Sequence, residues 1–336
     1  MTSLVTGGCG YIGSHMVHQL VDGGERVVVL DNLSTGSRAA IPDSVPLVVG
    51  DVGDQERVEQ LIRKHAVSAI IHFAGSVVVP ESVRNPLEYY RNNTANSRTL
   101  LEAAVNAGVQ QFNFSSTAAV YGNPDRVPIT EDAETRPLSP YGWSKLMTEQ
   151  MLQDTAAAHG TRFVVLRYFN VAGADPQLRT GQPTPEATHL IKVAVQTALG
   201  QRPFLEVFGT DYPTPDGTCI RDYIHVSDLV DAHAIALAHL RGGGESLILN
   251  CGYGRGYSVL EVIEAVQRAA GHAIAVRKVG RRAGDPAWIV ADAARLRARL
   301  GWRPRFDDLD QIVAHALAWE GKLRTMAPRR DAPQSR

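Results

Sequence analysis

The sequence predicts an α/β fold in which a doubly wound parallel sheet is joined to a smaller, mixed α/β C-terminal domain. Short apolar segments that lack period-two alternation recur through the first half of the chain, which is typical of strands buried on both faces of a parallel sheet. Helical patterns lie between these segments and favour right-handed crossovers. A glycine-rich turn at residues 7–13 joins the first apolar segment to the first helical pattern.

The elements follow one another in strand–helix alternation. Strands are predicted at 4–6, 27–31, 47–50, 69–74, 112–116 and 163–169, and a later strand, 246–250, is expected to return to the same sheet. Helices are predicted at 54–65, 86–107, 141–159, 228–240 and 259–270.

The alternation stops after Asn170, where the segments 173–186 and 211–218 are rich in loop-forming residues. We expect residues 1–170, with 220–255 returning to them, to form the first domain. The remainder of 171–325 is expected to form the second. Residues 326–336 are polar, with Pro and Arg, and are expected to be disordered.

Composition limits the class of ligand. The 336-residue chain is 44% hydrophobic and 21% charged, as expected for a globular protein with a sizeable core. A formal net charge of -1 gives no electrostatic basis for binding nucleic acid or an anionic membrane. No apolar run has the length of a membrane span. We therefore expect a small-molecule ligand, with neither nucleic acid nor membrane as a partner.

The cysteines indicate the compartment. Cys9, Cys219 and Cys251 form an odd and sparse set, which is typical of a reducing environment. They form no CxxC pair, so no metal site is predicted. The first strand begins close to Met1 and leaves no room for a signal peptide, so the expected location is the cytoplasm.

The glycine turn predicts a dinucleotide site. Gly7 permits a tight turn, Gly10 lets the backbone approach a pyrophosphate, and Gly13 lets the helix pack close to the strand. The helix N-terminus offers free N–H groups to the phosphates. Asp31, at the end of the second strand, is placed to accept hydrogen bonds from the adenosine ribose. Because it would also repel a 2′-phosphate, NAD is favoured over NADP.

A tyrosine and a lysine indicate proton transfer. Tyr141 and Lys145 are four residues apart and therefore lie on one face of the predicted helix. A nearby ammonium favours the phenolate, so we expect it to lower the pKa of Tyr141 towards the working range of a general base. The strand at 112–116 ends in Ser115 and Ser116 and is followed by Thr117. These three hydroxyl residues would lie at the strand end, where ligands bind.

Together these features resemble the extended short-chain dehydrogenase/reductase superfamily, whose first domain has the Rossmann fold. A narrower resemblance, to the UDP-glucose 4-epimerases, runs in order along about the first 300 residues. It is carried by GGCGYIGSH at 7–15, LDNL at 30–33, HFAG at 72–75, PLEYY at 86–90 with NN at 92–93, LRYFN at 166–170, DGT at 216–218 with RDYIHV at 221–226, and RRAGD at 281–285.

The resemblance implies an isomerase of carbohydrate metabolism, active in galactose metabolism, in which bound NAD+ oxidises the sugar at C4 and then returns the hydride to the other face. It implies that Tyr141 is the base and that Thr117 forms a hydrogen bond with the 4-oxygen of the sugar. It also implies that Lys145 binds the nicotinamide ribose and keeps the pKa of Tyr141 low. The cofactor residues that it implies, with the glycine turn, are Tyr11, Ile12, Asp31, Asn32, Asp51, Val52, Phe73, Asn92, Ser115 and Phe169.

The resemblance also implies a UDP-sugar site and a homodimer. The implied substrate residues are Thr117, Asn170, His189, Leu190, Phe208, Arg221, Arg282 and Asp285. The two arginines suit a diphosphate by charge and by geometry. A second subunit would pair with the helices near 86–107 and 141–159.

Several positions depart from the family pattern. Val77 stands where some members have a lysine near the nicotinamide, and His189 and Lys192 stand where some have Asn and Pro. Ile289 occupies the position that limits the size of the C2 substituent, so the fit of N-acetylated sugars stays open. His72 and His225 lie inside apolar runs and are interpreted as packing residues.

Rival functions differ in the residues that they need. A 4,6-dehydratase would carry an acidic pair after Thr117, where this chain has Ala118 and Ala119, so this rival is rejected. A 4-epimerase of UDP-N-acetylglucosamine, of UDP-xylose and UDP-arabinose, or of UDP-glucuronate stays open. A catalytically silent NAD-binding regulator would keep the glycine turn but would not need Tyr141 and Lys145 together.

Overall fold

A seven-stranded, all-parallel sheet organises the computed structural model, which describes residues 1–184, 188–282 and 285–326. Its strand order is β10-β6-β5-β4-β1-β2-β3. The strands are β1 (Thr2–Thr6), β2 (Arg26–Asp31), β3 (Leu47–Val49), β4 (Val67–His72), β5 (Gln111–Thr117), β6 (Arg162–Tyr168), β7 (Asn170–Ala172), β8 (Leu205–Phe208), β9 (Ile220–His225), β10 (Leu247–Cys251), β11 (Gly256–Ser258), β12 (Val276–Val279) and β13 (Trp288–Ile289).

Helices cover both faces of this sheet, and its central strands β1, β2 and β5 are buried except at the first residues of β2 and β5. One core joins the sheet to α1 and α8, and another joins it to α2, α5 and α6. The helices are α1 (Tyr11–Asp22), α2 (Gln55–His65), α3 (Val79–Arg84), α4 (Pro86–Tyr89), α5 (Asn96–Asn106), α6 (Pro140–His159), α7 (Leu190–Ala198), α8 (Val226–Arg241), α9 (Val259–Ala270), α10 (Ala294–Leu300) and α11 (Leu309–Met326).

The sheet order reverses between β1 and β4, and this reversal creates a crevice at the carboxyl ends of the strands. The chain first winds outward from β1 to β3 and then returns to place β4 on the other side of β1. The glycine turn leaves β1 at this crevice. The predicted fold class is thus confirmed, and strands appear in all seven predicted places.

The strands outside the large sheet form two small sheets. Strand β9 pairs with β7, β11 and β13, and β8 pairs with β12. A third core packs α7, α9 and α11 against these elements. Strand β10 returns to the large sheet beside β6, as predicted. The segment 327–336, for which disorder is predicted, lies outside the described residues.

One predicted helix differs from its prediction. The segment 86–107 contains α4 and α5 with a π-helical turn, Tyr90–Ala95, between them. The wider turn brings the buried Asn93 side chain into contact with the loop after β4. The hydrophobic period of a helix does not reveal such an insertion, since the flanking turns keep their own pattern.

Candidate active site

The glycine turn lies at the crevice, between the end of β1 and the start of α1. Gly7 has a φ of +67°, and a Cβ there would lie 2.6 Å from the backbone nitrogen of Ala74. A Cβ at Gly13 would lie 2.1 Å from the carbonyl oxygen of Gly7. Only glycine fits these two positions, because the turn is packed against the loop that follows β4 and against its own helix.

The same turn leaves the N-terminus of α1 open to a ligand. Gly10 is the N-cap, and no side chain caps the helix. Among the described residues, a Cβ at Gly10 would approach only the Gly7 carbonyl, at 3.3 Å. Uncapped N–H groups and the helix dipole suit a pyrophosphate. Tyr11 Oη donates to the Gly173 carbonyl at 2.7 Å, and Ile12 packs against the cores on both sides.

Asp31 lies beside this turn with its carboxylate fixed. It accepts backbone N–H groups of Cys9 at 2.9 Å and Leu33 at 2.8 Å. Each carboxylate oxygen retains a lone pair that can accept from a ribose hydroxyl. Asn32 donates to Asp51 at 3.2 Å. The predicted adenosine-side residues, with the buried Val52, therefore share one edge of the sheet.

The other predicted cofactor residues follow the neighbouring strands. Phe73 comes directly after β4, and Ser115 lies within the buried end of β5. Phe169 comes directly after β6 and is buried. Asn92 lies in the π-helical turn and donates to the Ser76 hydroxyl at 2.8 Å. All four residues therefore line the same carboxyl edge as the glycine turn.

Tyr141, Lys145 and Thr117 come together at the end of β5. Tyr141 and Lys145 lie one turn apart near the start of α6, with 8% and 3% of their surfaces exposed. Ser139 caps this helix by accepting the Gly142 N–H at 3.2 Å. Thr117 is the last residue of β5 and forms a hydrogen bond with Tyr141. The site thus joins a phenol, an ammonium and a hydroxyl with little access for water.

The electrostatics of this pair differ from the sequence expectation. Burial raises the pKa of Tyr141, and the hydrogen bond with Thr117 offsets only part of that increase. Burial also lowers the pKa of Lys145 to about 8, which the negative charge of Glu149 opposes. Lys145 Nζ donates to the Ser115 carbonyl at 3.1 Å and lies 5.0 Å from the centre of the Phe114 ring. Burial dominates because both groups exchange water for a largely apolar strand end.

A cleft lies beside β7 and the start of α7. Three predicted substrate residues line it, namely Asn170, His189 and Leu190. Lys192, which also lines the cleft, donates to Glu320 of α11 at 2.5 Å. The positive charge of Lys192, at a position that departs from the family pattern, is therefore neutralised by Glu320 of α11.

The remaining predicted substrate residues form a second group along β8, β9 and the segment before β13. The guanidinium of Arg221 lies 3.8 Å from the Asp285 carboxylate. The guanidinium of Arg282 stacks over the Phe208 ring at 4.2 Å. Arg221 lies two residues before Tyr223, which pairs with Asn170 in the small sheet. Arg221 and Asn170 therefore share one small sheet, whereas Phe208 lies in the other.

The positions that depart from the family pattern fall on different surfaces. Val77 is 52% exposed in the loop after β4, whereas Ile289 is 9% exposed in β13. His72 is held by Thr6 at 2.6 Å and by Ser97 at 2.8 Å. His225, for which a packing role is predicted, accepts the Ser227 N–H and contacts His315 at 2.9 Å.

Sequence reasoning missed several residues of the site. Asn93 binds both backbone groups of Ser76 and donates to Ser144 at 3.0 Å, so it connects the loop after β4 to the catalytic helix. Tyr168 shares a short hydrogen bond with Ser115. Glu149, one turn after Lys145, is fully buried. Asn93 and Tyr168 lie within the NN and LRYFN motifs that carry the resemblance, and Glu149 continues the four-residue spacing of Tyr141 and Lys145.

Comparison with known proteins agrees with this geometry. A UDP-glucose 4-epimerase of Azospirillum brasilense is 62% identical over 330 residues, which are 98% of this chain and 95% of that protein. The crystal structure of a UDP-glucose 4-epimerase from Brucella ovis in complex with NAD superposes with a TM-score of 0.92 at 45% identity, covering 94% of this chain and 97% of that one.

A further solved structure, the Bifidobacterium longum UDP-glucose 4-epimerase in complex with NAD+ and UDP, superposes with a TM-score of 0.91 at 38% identity and covers 96% and 98% of the two chains. The model of the NAD dependent epimerase/dehydratase family matches residues 3–252. That span includes the glycine turn, Thr117, Tyr141 and Lys145. The chain belongs to the NAD dependent epimerase/dehydratase family.

Proposed function

We propose that this chain is an NAD-dependent isomerase that interconverts UDP-glucose and UDP-galactose. The observation that carries the proposal is the buried group of Tyr141, Lys145 and Thr117, which faces the same crevice as an uncapped glycine turn. The Azospirillum brasilense relative, at 62% identity, supports the choice of sugar nucleotide.

The residues at the crevice fit NAD. The N-terminus of α1 would hold the pyrophosphate, Asp31 the adenosine ribose, and Lys145 the nicotinamide ribose. When bound there, NAD+ supplies a reversible hydride acceptor for the sugar C4. The charge of Asp31 at the ribose supports NAD rather than NADP.

Tyr141 is the proposed proton acceptor and donor. Its Oη takes the proton of the sugar 4-hydroxyl as C4 is oxidised, and it gives the proton back when C4 is reduced from the opposite face. Thr117 forms a hydrogen bond with Tyr141 and is placed to pass the same proton. Because burial alone favours the neutral phenol, the phenolate depends on the Lys145 ammonium one turn away.

The diphosphate of the sugar nucleotide is assigned to Arg221 and Arg282, and the uridine ribose to Asp285. Asn170, His189, Leu190 and Phe208 would enclose the rest of the ligand. Guanidinium groups match phosphate oxygens in pairs, and the partial exposure of both arginines leaves their donors available. These assignments place the ligand across the two small sheets, with the sugar directed towards Tyr141.

We also propose a homodimer through the face formed by the helical segments near 86–107 and 141–159. Leu87, Trp143 and Met147 are 79%, 42% and 41% exposed, an unusual set of apolar side chains for a surface in water. A groove beside them is lined by Tyr90 and Met151. A Met147→Glu variant is expected to shift the mass measured by light scattering from dimer to monomer, whereas a dimeric variant would contradict this interface.

The proposed location is the cytoplasm. Cys9, Cys219 and Cys251 are all buried and unpaired, as suits a reducing compartment. None of the helices in the described ranges is long and apolar enough to cross a membrane. Two domains are proposed, with residues 1–170 and 220–255 in the first and the rest of 171–325 in the second.

The function is tested by product analysis. Purified protein is incubated with UDP-glucose, UDP-N-acetylglucosamine and UDP-xylose, each with and without added NAD. We expect UDP-galactose from UDP-glucose, at a higher rate than either other sugar is epimerised. Failure with all three sugars in the presence of NAD would overturn the proposal. A preference for another sugar would change the proposed substrate to that sugar. It would also indicate that the Ile289 position determines which sugar is accepted.

A further inference from the structure

Glu149 is a carboxylate buried in the interior without access to water. It lies on α6 one turn after Lys145, and none of its surface is exposed. Ser116 Oγ donates to its Oε1 at 2.5 Å. The Arg167 guanidinium binds it through Nη2 at 2.6 Å and through Nε at 3.1 Å. A charge in such a place is costly unless it is paired and hydrogen-bonded, and here both conditions are met.

The sheet register explains why these partners meet. Ser116 of β5 and Arg167 of β6 are direct neighbours in the parallel ladder. Both side chains therefore reach the same face of the sheet, where α6 packs. Glu149 thus joins the catalytic helix to β5 and β6 at one pair of neighbouring residues. Arg167 is fixed further by donating to Tyr121 Oη at 3.0 Å.

The strand residue that Glu149 holds lies between two contacts of the catalytic group. Ser115, on one side of Ser116, accepts Lys145 Nζ through its carbonyl. Thr117, on the other side, binds Tyr141. A shift of Ser116 would therefore move the Ser115 carbonyl, which binds Lys145, together with Thr117, which binds Tyr141.

We propose that Glu149 is a positioning residue of the catalytic group. Through Ser116 it fixes the end of β5 against α6, and through its negative charge it keeps Lys145 protonated within a buried site. The consequence for turnover rests on the function proposed above, whereas the effect on the charge of Lys145 does not.

The groups that face Lys145 support an electrostatic role for this carboxylate. Tyr141 and Glu149 face it from α6, and His72 faces it from β4. Burial lowers the pKa of His72 to about 3, so this imidazole is neutral at physiological pH. Tyr141 is neutral as well in the absence of ligand. Glu149 is then the anion that opposes the loss of the Lys145 proton.

A direct titration tests the charge effect without using enzyme activity. The chain contains few lysines, namely Lys64, Lys145, Lys192, Lys278 and Lys322, so NMR of protein labelled at lysine Cε resolves them. The Lys145 signal is identified by its loss in Lys145→Met. We expect its titration midpoint to fall by about one pH unit in Glu149→Gln. Asp154→Asn, which removes an exposed charge from the same helix, is expected to leave the midpoint unchanged.

If Glu149→Gln does not fold, the double variant Glu149→Gln/Arg167→Met removes both buried charges and leaves neither unpaired. A smaller fall in the Lys145 midpoint is expected, because the loss of the Arg167 guanidinium offsets part of the loss of the carboxylate. An unchanged midpoint in the folded single or double variant would overturn the proposed charge effect.

Ser116→Ala tests the positioning effect, because it keeps both buried charges and removes only the hydrogen bond to β5. We expect kcat for UDP-glucose to fall about tenfold, with KM unchanged and with the Lys145 midpoint within about 0.3 pH unit of wild type. Full kcat in this variant would contradict the positioning role. Absence of epimerisation by both wild type and Asp154→Asn would instead count against the proposed function and would leave the titration result valid.

Discussion

At the scale of single residues, the proposed chemistry depends on two groups whose charged forms are both disfavoured by burial. Burial raises the pKa of Tyr141 and lowers the pKa of Lys145 to about 8. Each group is therefore unstable as an isolated ion, and each stabilises the other when both are charged. A pair of this kind is suited to taking up and returning one proton within a closed cycle.

Removal of the phenolic oxygen tests this account of proton transfer. Tyr141→Phe keeps the ring and its packing but has no Oη, so we expect kcat to fall by about a thousandfold. The NAD content of the purified protein, measured by absorbance after denaturation, is expected to stay near that of wild type. Epimerisation at the wild-type rate would show that Tyr141 is not the base.

Thr117 offers a matched comparison. Thr117→Val has nearly the same shape but no hydroxyl, and we expect it to lower kcat by about ten- to a hundredfold. Thr117→Ser restores the hydroxyl and is expected to recover most of this loss in the same assay. Equal activities of the two variants would mean that Thr117 acts through packing alone.

At the scale of elements, the junction of β1 and α1 is the most constrained part of the cofactor site. The helix approaches the strand so closely that a Cβ at Gly13 would overlap the Gly7 carbonyl. Both the position of α1 and the direction of its N–H groups follow from this contact. The same junction is tied to the second part of the chain by the hydrogen bond from Tyr11 to Gly173.

A single methyl group tests this junction. Gly13→Ala places a Cβ 2.1 Å from a backbone oxygen, so we expect the free energy of unfolding to fall by about 2 kcal/mol and the bound NAD to be largely lost. Gly23→Ala, after the end of the same helix, is the control, because its Cβ would lie 3.4 Å from its nearest neighbour at a φ of -77°. Urea unfolding and the NAD content provide the comparison. Equal losses in the two variants would contradict the close-packing argument.

The sequence predicts most elements but only part of the site. Strands such as β2 and β4 are detected because burial on both faces favours apolar runs. The four-residue spacing of Tyr141 and Lys145 likewise places them on one helix face. The bond from Lys145 to Ser115 and the contacts of Asn93 depend on how distant segments pack, so no local pattern encodes them. The π-helical turn is not predicted from the sequence for the same reason.

At the scale of the whole molecule, three buried histidines lie within the proposed first domain. Burial lowers the pKa of His72 and His233 to about 3 and that of His15 to about 4. His233 of α8 contacts Asn113 of β5 at 2.9 Å, and His15 contacts the Tyr11 carbonyl of its own helix at 2.7 Å. These imidazoles are held neutral in the folded state.

This burial predicts a dependence of stability on pH. Unfolded histidines take up protons below about pH 6.5, whereas the three folded ones do so only near pH 3 to 4. The unfolded state therefore binds more protons, and stability falls as the pH drops from about 6.5 to 4, by up to about 1.4 kcal/mol per pH unit for each group.

Urea unfolding at pH 7.5, 6.5 and 5.5 measures this slope. His72→Gln is expected to reduce the slope of stability against pH by about the contribution of one histidine. The control His272→Gln, at an exposed position, is expected to leave the slope unchanged. Equal stability of the wild type at all three pH values would contradict the prediction.

The fate of the hydrogen at C4 tests the central claim most directly, because the claim is that one bound NAD+ takes a hydride and returns it to the same carbon. The purified protein is incubated with UDP-glucose that carries tritium at C4, without added NAD. We predict UDP-galactose that retains its tritium, with none released to water. Loss of the label to solvent during epimerisation, or no product even with NAD added, would contradict the account.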